Sequence, residues 1–378
     1  MAMTHHRPLG RMDDSPSRLL MRFGGEPIVG VTSNDGTALE WLTEVLDLDC
    51  VESTAEARWE ICARFGPDRY WRALAGRPMG TIHTRPCFAF DTKVMELPSW
   101  ETENGIALDD SDRSAVLTVR PGHVDVAGDS STVGWRYTLL MIVSEIIATH
   151  ARAHQLDLHA ASNVSGHKGY VLVGPKGAGK STVSLHLAST GGARLMSNDR
   201  TFLEPEAGGV VIARGLPTGL RLRPETVRGL PALHVNQPWT ELLPTYRRAE
   251  LHAFDRSWPD GTELLLSPAQ VADRLGVGRA AEAPVQALLF PELDPCLEGV
   301  CATRMDASEV EWSLAQNLFG RSLGNRAATV FEFGSPVLTP RDVTAKVAIA
   351  VDAYRVRLGS AAYGPDFAQR LFDQLAAA

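Results

Sequence analysis

Long apolar runs, an excess of basic charge and a metal-type cysteine pattern are all missing from this chain. The longest apolar run, Tyr137 to Ala148, is interrupted by Glu145 and falls well short of the ~20 residues a bilayer span needs. No membrane partner is therefore expected. Acidic residues outnumber basic ones, 45 to 37, for a formal charge of −8. Without a basic surplus to neutralise phosphates, nucleic acid is not expected as a partner. The five cysteines (Cys50, Cys62, Cys87, Cys296 and Cys301) are odd in number, and Cys296 and Cys301 have no second ligand pair nearby. Reduced thiols in a cytoplasmic protein are the plain expectation. The opening "MAMTHHRPLGRMDDSPSR" is polar and proline-bearing, with no apolar core of the kind a secretory leader carries. Repeats and low-complexity tracts are absent too.

What is present is ordinary globular material. Of 378 residues, 44% are hydrophobic and 22% charged, so a packed core is expected, with room for two domains. Residues 1–18 read as a disordered tail, residues 19–130 as a smaller α+β domain, and residues 131–378 as an α/β domain. In the first, "GTALEWLTEVLDL" has helical spacing with Asp35 or Thr37 as its cap, and "AVLTVRPGHVDVAG" reads as a hairpin around Pro121-Gly122. In the second, "WRYTLLMIVSEIIATHARAHQ" puts Leu139, Ile142, Val143, Ile146 and Ile147 on one stripe of a long helix. Two strand-like segments follow in "LDLHAASNVSGHKGYVLVG". Further strands are expected at "ARLMSND", "GVVIARG", "VQALLFPE" and "ATVFEFG". Alternating strands and helices point to an α/β core. The Pro- and aromatic-rich segment from Arg228 to Trp258 is expected to be a substrate-side or interface excursion.

The motif that carries chemistry is Gly174-Pro175-Lys176-Gly177-Ala178-Gly179-Lys180-Ser181, which fits G-x-x-x-x-G-K-[ST]. It follows the strand "YVLV" and opens the helix "STVSLHL", closed by Gly191-Gly192. Glycines at 174, 177 and 179 let successive backbone N–H groups converge on phosphates, and the helix start adds its positive dipole end. Lys180 is expected to reach the β- and γ-phosphates of ATP, Ser181 to ligate Mg²⁺, and Thr182 to complete the cradle. Lys176 is either a second phosphate contact or a solvated loop charge.

Phosphoryl transfer also needs a second metal contact and a group that orients the attacking oxygen. Asp199, nineteen residues after Lys180 at the end of "LMSND", can ligate Mg²⁺ or accept a hydroxyl proton; the bland alternative is a turn aspartate. A rival acid is Glu292 or Asp294 in "ALLFPELD", where Pro291 interrupts the run. His159, fifteen residues before Gly174, sits where a strand can run beside the loop's own strand; a satisfied core histidine is the alternative. His150 and His154 lie one helical turn apart with no third ligand in register.

The order "LHAAS…YVLVGPKGAGKSTVSLHLASTGGARLMSNDR" resembles the catalytic core of HPr kinase/phosphorylase and its kinase-like relatives, over about Leu156 to Arg223. The resemblance implies a P-loop kinase core of HPr kinase/PEP carboxykinase-like type in residues 131–378. It implies that His159 lines the γ-phosphate and acceptor site, and that Asp199 is the second of a pair of aspartates followed by the basic Arg200. The first aspartate is Asn198 here, and an amide cannot act as a base. The acid that precedes the family's Arg-Gly pair is also missing before Arg214-Gly215. Together with an N-terminal region unlike the family's regulatory domain, this argues against HPr as the acceptor. Arg214, Arg221 and Arg223 can clamp an anionic substrate or be plain surface charges. The expected function is a Mg-ATP-dependent kinase acting on a hydroxyl of a peptide, protein or small molecule. The alternatives are an ATPase or nucleotide switch, and a nucleotide-binding protein with a degenerate site. Homo-oligomerisation stays open.

Overall fold

The computed structural model describes residues 17–78, 82–90, 93–132, 134–222, 226–227, 229–233, 264–319, 329–331, 340–359 and 361–378. Of the expected tail, residues 1–16 lie outside the described residues, and Ser17 and Arg18 already belong to the first strand. The protein is mixed α/β, with two large mixed sheets. Among the described residues no helix is long and apolar enough to cross a membrane.

The first sheet takes its nine strands from consecutive chain: β1 (Ser17–Phe23), β2 (Glu26–Ser33), β3 (Asp49–Glu52), β4 (Trp59–Gly66), β5 (His83–Phe90), β6 (Lys93–Thr102), β7 (Gly105–Asp110), β8 (Ala115–Arg120) and β9 (His123–Asp129). Their order is β3-β1-β2-β4-β9-β8-β7-β6-β5. Among the described residues, only the β2–β4 and β4–β9 pairings of this sheet are parallel. The expected hairpin is β8–β9, and Gly122 takes φ 70° at its turn, which only glycine adopts without strain. Helix α1 (Gly36–Leu46) covers β1 and β2; Asp35 caps it by accepting the Thr37 N–H. A short helix α2 (Arg69–Ala75) follows β4.

Helix α3 (Gly134–Ala151) buries Leu139, Ile142, Val143, Ile146 and Ile147 in the core of this first sheet, against Leu42, Ile61 and Val126. The stripe read from the sequence is its core face. The helix precedes the second sheet in the chain but packs with the first. Phe202 and Leu216 of the second sheet join the same core, and Phe202 meets Phe23 edge-to-face at 5.2 Å, a contact worth ~1 kcal/mol beyond its buried area.

The second sheet comprises β10 (Leu156–Ser165), β11 (Lys168–Val173), β12 (Arg194–Ser197), β13 (Arg200–Pro205), β14 (Val211–Leu216), β17 (Glu282–Leu293), β18 (Val300–Arg304) and β19 (Asp352–Leu358). Between β14 and β17, β15 (Leu220–Leu222) and β16 (Leu264–Leu266) make a separate two-stranded pair. The long strands β10 and β17 each serve two partners. Residues 156–159 of β10 pair β13, and residues 160–165 pair β11. Residues 282–284 of β17 pair β14, and later residues pair β11 and β19. Strands β10, β13, β14, β17 and β11 thereby close into a ring. Among the described residues the helices of this half are α4 (Lys180–Gly191), α5 (Pro268–Leu275), α6 (Ala307–Gln316), α7 (Pro340–Ala350) and α8 (Phe367–Ala377). Alternate residues of β11 enter two cores: Val171 and Val173 face α6 and α7, while Leu172 faces α4 and α8.

Two expectations need correcting. β17 runs through Pro291, which pairs with Val356, so proline does not end that strand. Of "ATVFEFG", residues 329–331 are described and form no strand, with Val330 and Phe331 in a turn; the rest lies outside the described residues. Apart from residues 229–233, the expected excursion also lies outside them.

Candidate active site

Strand β11, fully buried over Val171 to Val173, delivers the chain into the glycine-rich loop, and α4 begins at Lys180. Gly177 and Gly179 take φ of 90° and 94°, where a Cβ is costly. Gly179 caps α4 without a side chain, so the free N–H groups of the first turn stay available. The Lys180 ammonium folds back across the loop and donates to the carbonyl oxygens of Gly174 at 2.7 Å and Pro175 at 3.1 Å. Behind the loop, His186 stacks on Tyr363 at 4.5 Å. Burial pulls the imidazole down to about 4 and pushes the Tyr363 phenol up to about 12. The Tyr363 hydroxyl is buried with no hydrogen-bond partner.

The strand hydrogen bonds of β10 and β13 bring His159 to Asp199. Ala160 N–H donates to the Asp199 carbonyl, and His159 Nε2 lies 3.1 Å from Asp199 Oδ1. The His159 ring is buried, edge-on to Phe319. Asp199 sits deep in a cleft, yet 47% of its side-chain surface stays open to it. Burial works to raise its pKa. The His159 hydrogen bond and the charges of His159, Lys180 and Arg200 outweigh it, so the carboxyl sits below its usual range. Asn198 lines the same cleft, and its Oδ1 is buried without a hydrogen-bond partner.

Sequence reasoning missed the support beneath this pair. Arg200 grips Asp157 with Nε at 2.9 Å and a terminal nitrogen at 2.6 Å. Arg152 bonds Asp157 and Glu145, each at 2.9 Å, and Arg200 reaches Glu145 at 3.7 Å. The Arg200 guanidinium lies 4.1 Å from the centre of the Phe319 ring. Burial pushes the Asp157 carboxyl up, but Arg200 and Arg152 prevail and hold it below its ordinary range. Two arginines and two carboxylates thus cross-link α3, β10 and β13 under His159 and Asp199. Two signals were legible: Glu145 breaks an apolar run, and Asp157 shares a strand face with His159. Arg200 is therefore committed to this network.

The loop residues Lys176, Gly177, Gly179, Lys180, Ser181 and Thr182 share one cleft of about 840 Å³ with His159, Asn198 and Asp199. Arg221 lines it as well. Arg214 is elsewhere: it pairs with Glu204 and, at 2.8 Å, with Glu282. Arg223 lies outside the described residues. Glu292 and Asp294 pair with Arg355 and Arg357 of β19 at 3.3 and 3.4 Å. His150 is engaged with Glu26 and Arg58.

No known family's sequence profile matches this chain, and no curated protein matches it.

Hard oxygen donors suit Mg²⁺, and the cleft brings together the Ser181 hydroxyl, the Asp199 carboxylate and the unpartnered Asn198 Oδ1. The residues fit a magnesium-bound triphosphate: a left-handed glycine cradle, a lysine and an oxygen donor set. A separate group lies on the opposite strand face from Ile61 and Val124, where Cys62, His123 and Asp125 bring three donor atoms within 4.8 Å of one another. There Arg120 already stands 3.7 Å from the Asp125 carboxylate. All five cysteines are free thiols.

Proposed function

We propose that this chain is a Mg-ATP-dependent phosphotransferase that moves the γ-phosphoryl group to a hydroxyl acceptor. Its core is of the P-loop kinase type. The observation that carries the reading is the pairing of His159 with Asp199 in the same cleft as Lys180 and Ser181. A glycine-rich loop alone only binds; a carboxylate open to the cleft and held by a buried histidine supplies a place for the attacking oxygen.

In this reading the loop N–H groups and Lys180 bind and orient the phosphates. Ser181, Asp199 and Asn198 Oδ1 would hold Mg²⁺, which supplies charge neutralisation across the phosphate oxygens. Asp199, kept ionised, accepts the acceptor's hydroxyl proton as the oxygen–phosphorus bond forms. The bond between the γ-phosphorus and its bridging oxygen breaks, and ADP leaves with the electron pair. His159 holds the carboxylate in place through Nε2. Little basicity is demanded of Asp199, because a loose transition state relies on positioning more than on proton removal.

Asn198 favours a second reading, nucleotide binding without transfer, since it leaves Asp199 as the acid at the strand end. Acceptor dependence separates the two. ATP turnover that begins only when a hydroxyl acceptor is added supports transfer; ATP bound and left intact whatever acceptor is present supports binding alone, and vigorous acceptor-independent hydrolysis contradicts both.

A further inference from the structure

Helix α3 has two apolar faces. One, with Leu139, Ile142, Val143 and Ile146, is fully buried in the first-sheet core. The other carries Tyr137, Leu140, Met141 and Ser144, at i, i+3, i+4 and i+7. These four are only partly buried, and all line the cleft that holds Asp199. A helix facing water on one side normally turns polar residues outward. Here that side is a tyrosine, a leucine and a methionine. Met95 and Phe88, from the far edge of the first sheet, extend the same wall. Tyr137, Leu140, Met141 and Met95 rest on the first-sheet core with part of each side chain open to the cleft. Thioether side chains adapt to irregular apolar shapes, and an apolar wall continuous with a few polar groups is characteristic of a ligand site.

The cleft thus has two chemistries. Its polar end is built by the glycine-rich loop, His159 and Asp199. Its apolar end is built by the first-sheet region, with Glu145 and Arg200 already tied into the buried network between them. We infer that the first-sheet region is the acceptor-recognition element, and that the acceptor is an alcohol whose hydroxyl is borne on an apolar body resting on Tyr137, Leu140, Met141 and Met95. This rests on the phosphotransfer reading above. The N-terminal half of the chain then selects the molecule whose hydroxyl Asp199 engages.

The test uses the full chain and two probe pairs. In the first, labelled γ-phosphate transfer is compared for N-octanoyl-L-serine amide and L-serine amide. The acylated probe is expected to show a kcat/KM roughly tenfold or more above the bare one, since several buried methylenes are worth at least that. Leu140→Arg should erase the difference with ATP affinity retained. Met141→Ser, a milder change on the same face, should reduce it in a protein that still melts cooperatively. In the second, calorimetry follows N-octanoyl-L-alanine amide, which has no hydroxyl. Wild type and Lys180→Ala should both bind it, and Leu140→Arg should not. Equal kcat/KM for the two serine probes, or equal binding of the alanine probe by wild type and Leu140→Arg, overturns the inference. So does loss of ATP affinity in a folded Leu140→Arg protein, which would assign the apolar end to the nucleotide base. Binding of the alanine probe that Leu140→Arg abolishes, with transfer to neither serine probe, supports the apolar site and contradicts the phosphotransfer reading.

Discussion

His159 Nε2 stands 3.1 Å from Asp199 Oδ1, although forty residues separate them in the chain. The contact exists because β10 and β13 pair antiparallel, with His159 opposite Arg200. It places an ionised carboxylate in the cleft of the glycine-rich loop. Asp199→Asn keeps the shape but removes the group that the proposed mechanism uses as proton acceptor and metal ligand. Transfer is expected to fall by about 10²–10⁴-fold, with nucleotide affinity in the absence of Mg²⁺ little changed. Single-turnover transfer and nucleotide titration check this together.

Lys180→Ala removes the ammonium that spans Gly174 and Pro175. A charge-assisted contact is worth about 1.5–3 kcal/mol, so triphosphate affinity should weaken roughly ten- to a hundredfold. Titration calorimetry with ATP reads it directly. Unchanged affinity would mean that the loop is not a phosphate cradle.

Removing Asp157 leaves Arg152 and Arg200 facing Glu145 and strips each of its close bond to Asp157 in a buried setting. Breaking such a pair costs about 3–5 kcal/mol, and Asp157→Ala is expected to lower the melting temperature by several degrees. Replacing a residue of the exposed pair Arg72–Asp68, 79% and 69% open, should cost under about 1 kcal/mol. Thermal melts of the two variants side by side measure the contrast.

The burial of His186 gives the fold a pH dependence. Its pKa is about 4 when folded, against 6.5 ordinarily, so between those values the unfolded chain binds the extra proton. Stability therefore rises with pH across that window, is fully present above pH 6.5, and is lower by about 3 kcal/mol at pH 4. His186→Phe, which keeps a ring against Tyr363, should flatten this slope. Denaturant titrations at pH 7, 5.5 and 4.5 test it.

Much of the second half was legible because its signals are local. The glycines at 177 and 179, the cap at Gly192 and the stripe on α3 are each written within one element. The first sheet was legible only in pieces, as one helix and one hairpin. Its parallel β4–β9 pairing joins residues about sixty apart, which no local period encodes. The same limit hid the Asp157–Arg200 pair, forty-three residues apart. It also left Arg214 open as a substrate clamp, because Glu204 and Glu282 come from β13 and β17. Strand alternation assigns a face; what lies across that face is set by topology.

Whether the cleft transfers phosphate is decided by following γ-labelled ATP and Mg²⁺ with the purified chain, with and without a panel of hydroxylated peptides and small molecules. Label is expected to appear in an acceptor, with ADP formed in equal amount and little ADP formed without it; Asp199→Asn should cut both by about 10²–10⁴-fold, and Lys180→Ala should lower both at sub-saturating ATP. Steady release of inorganic phosphate that no acceptor alters, or ATP bound and left intact whatever acceptor is present, would contradict it.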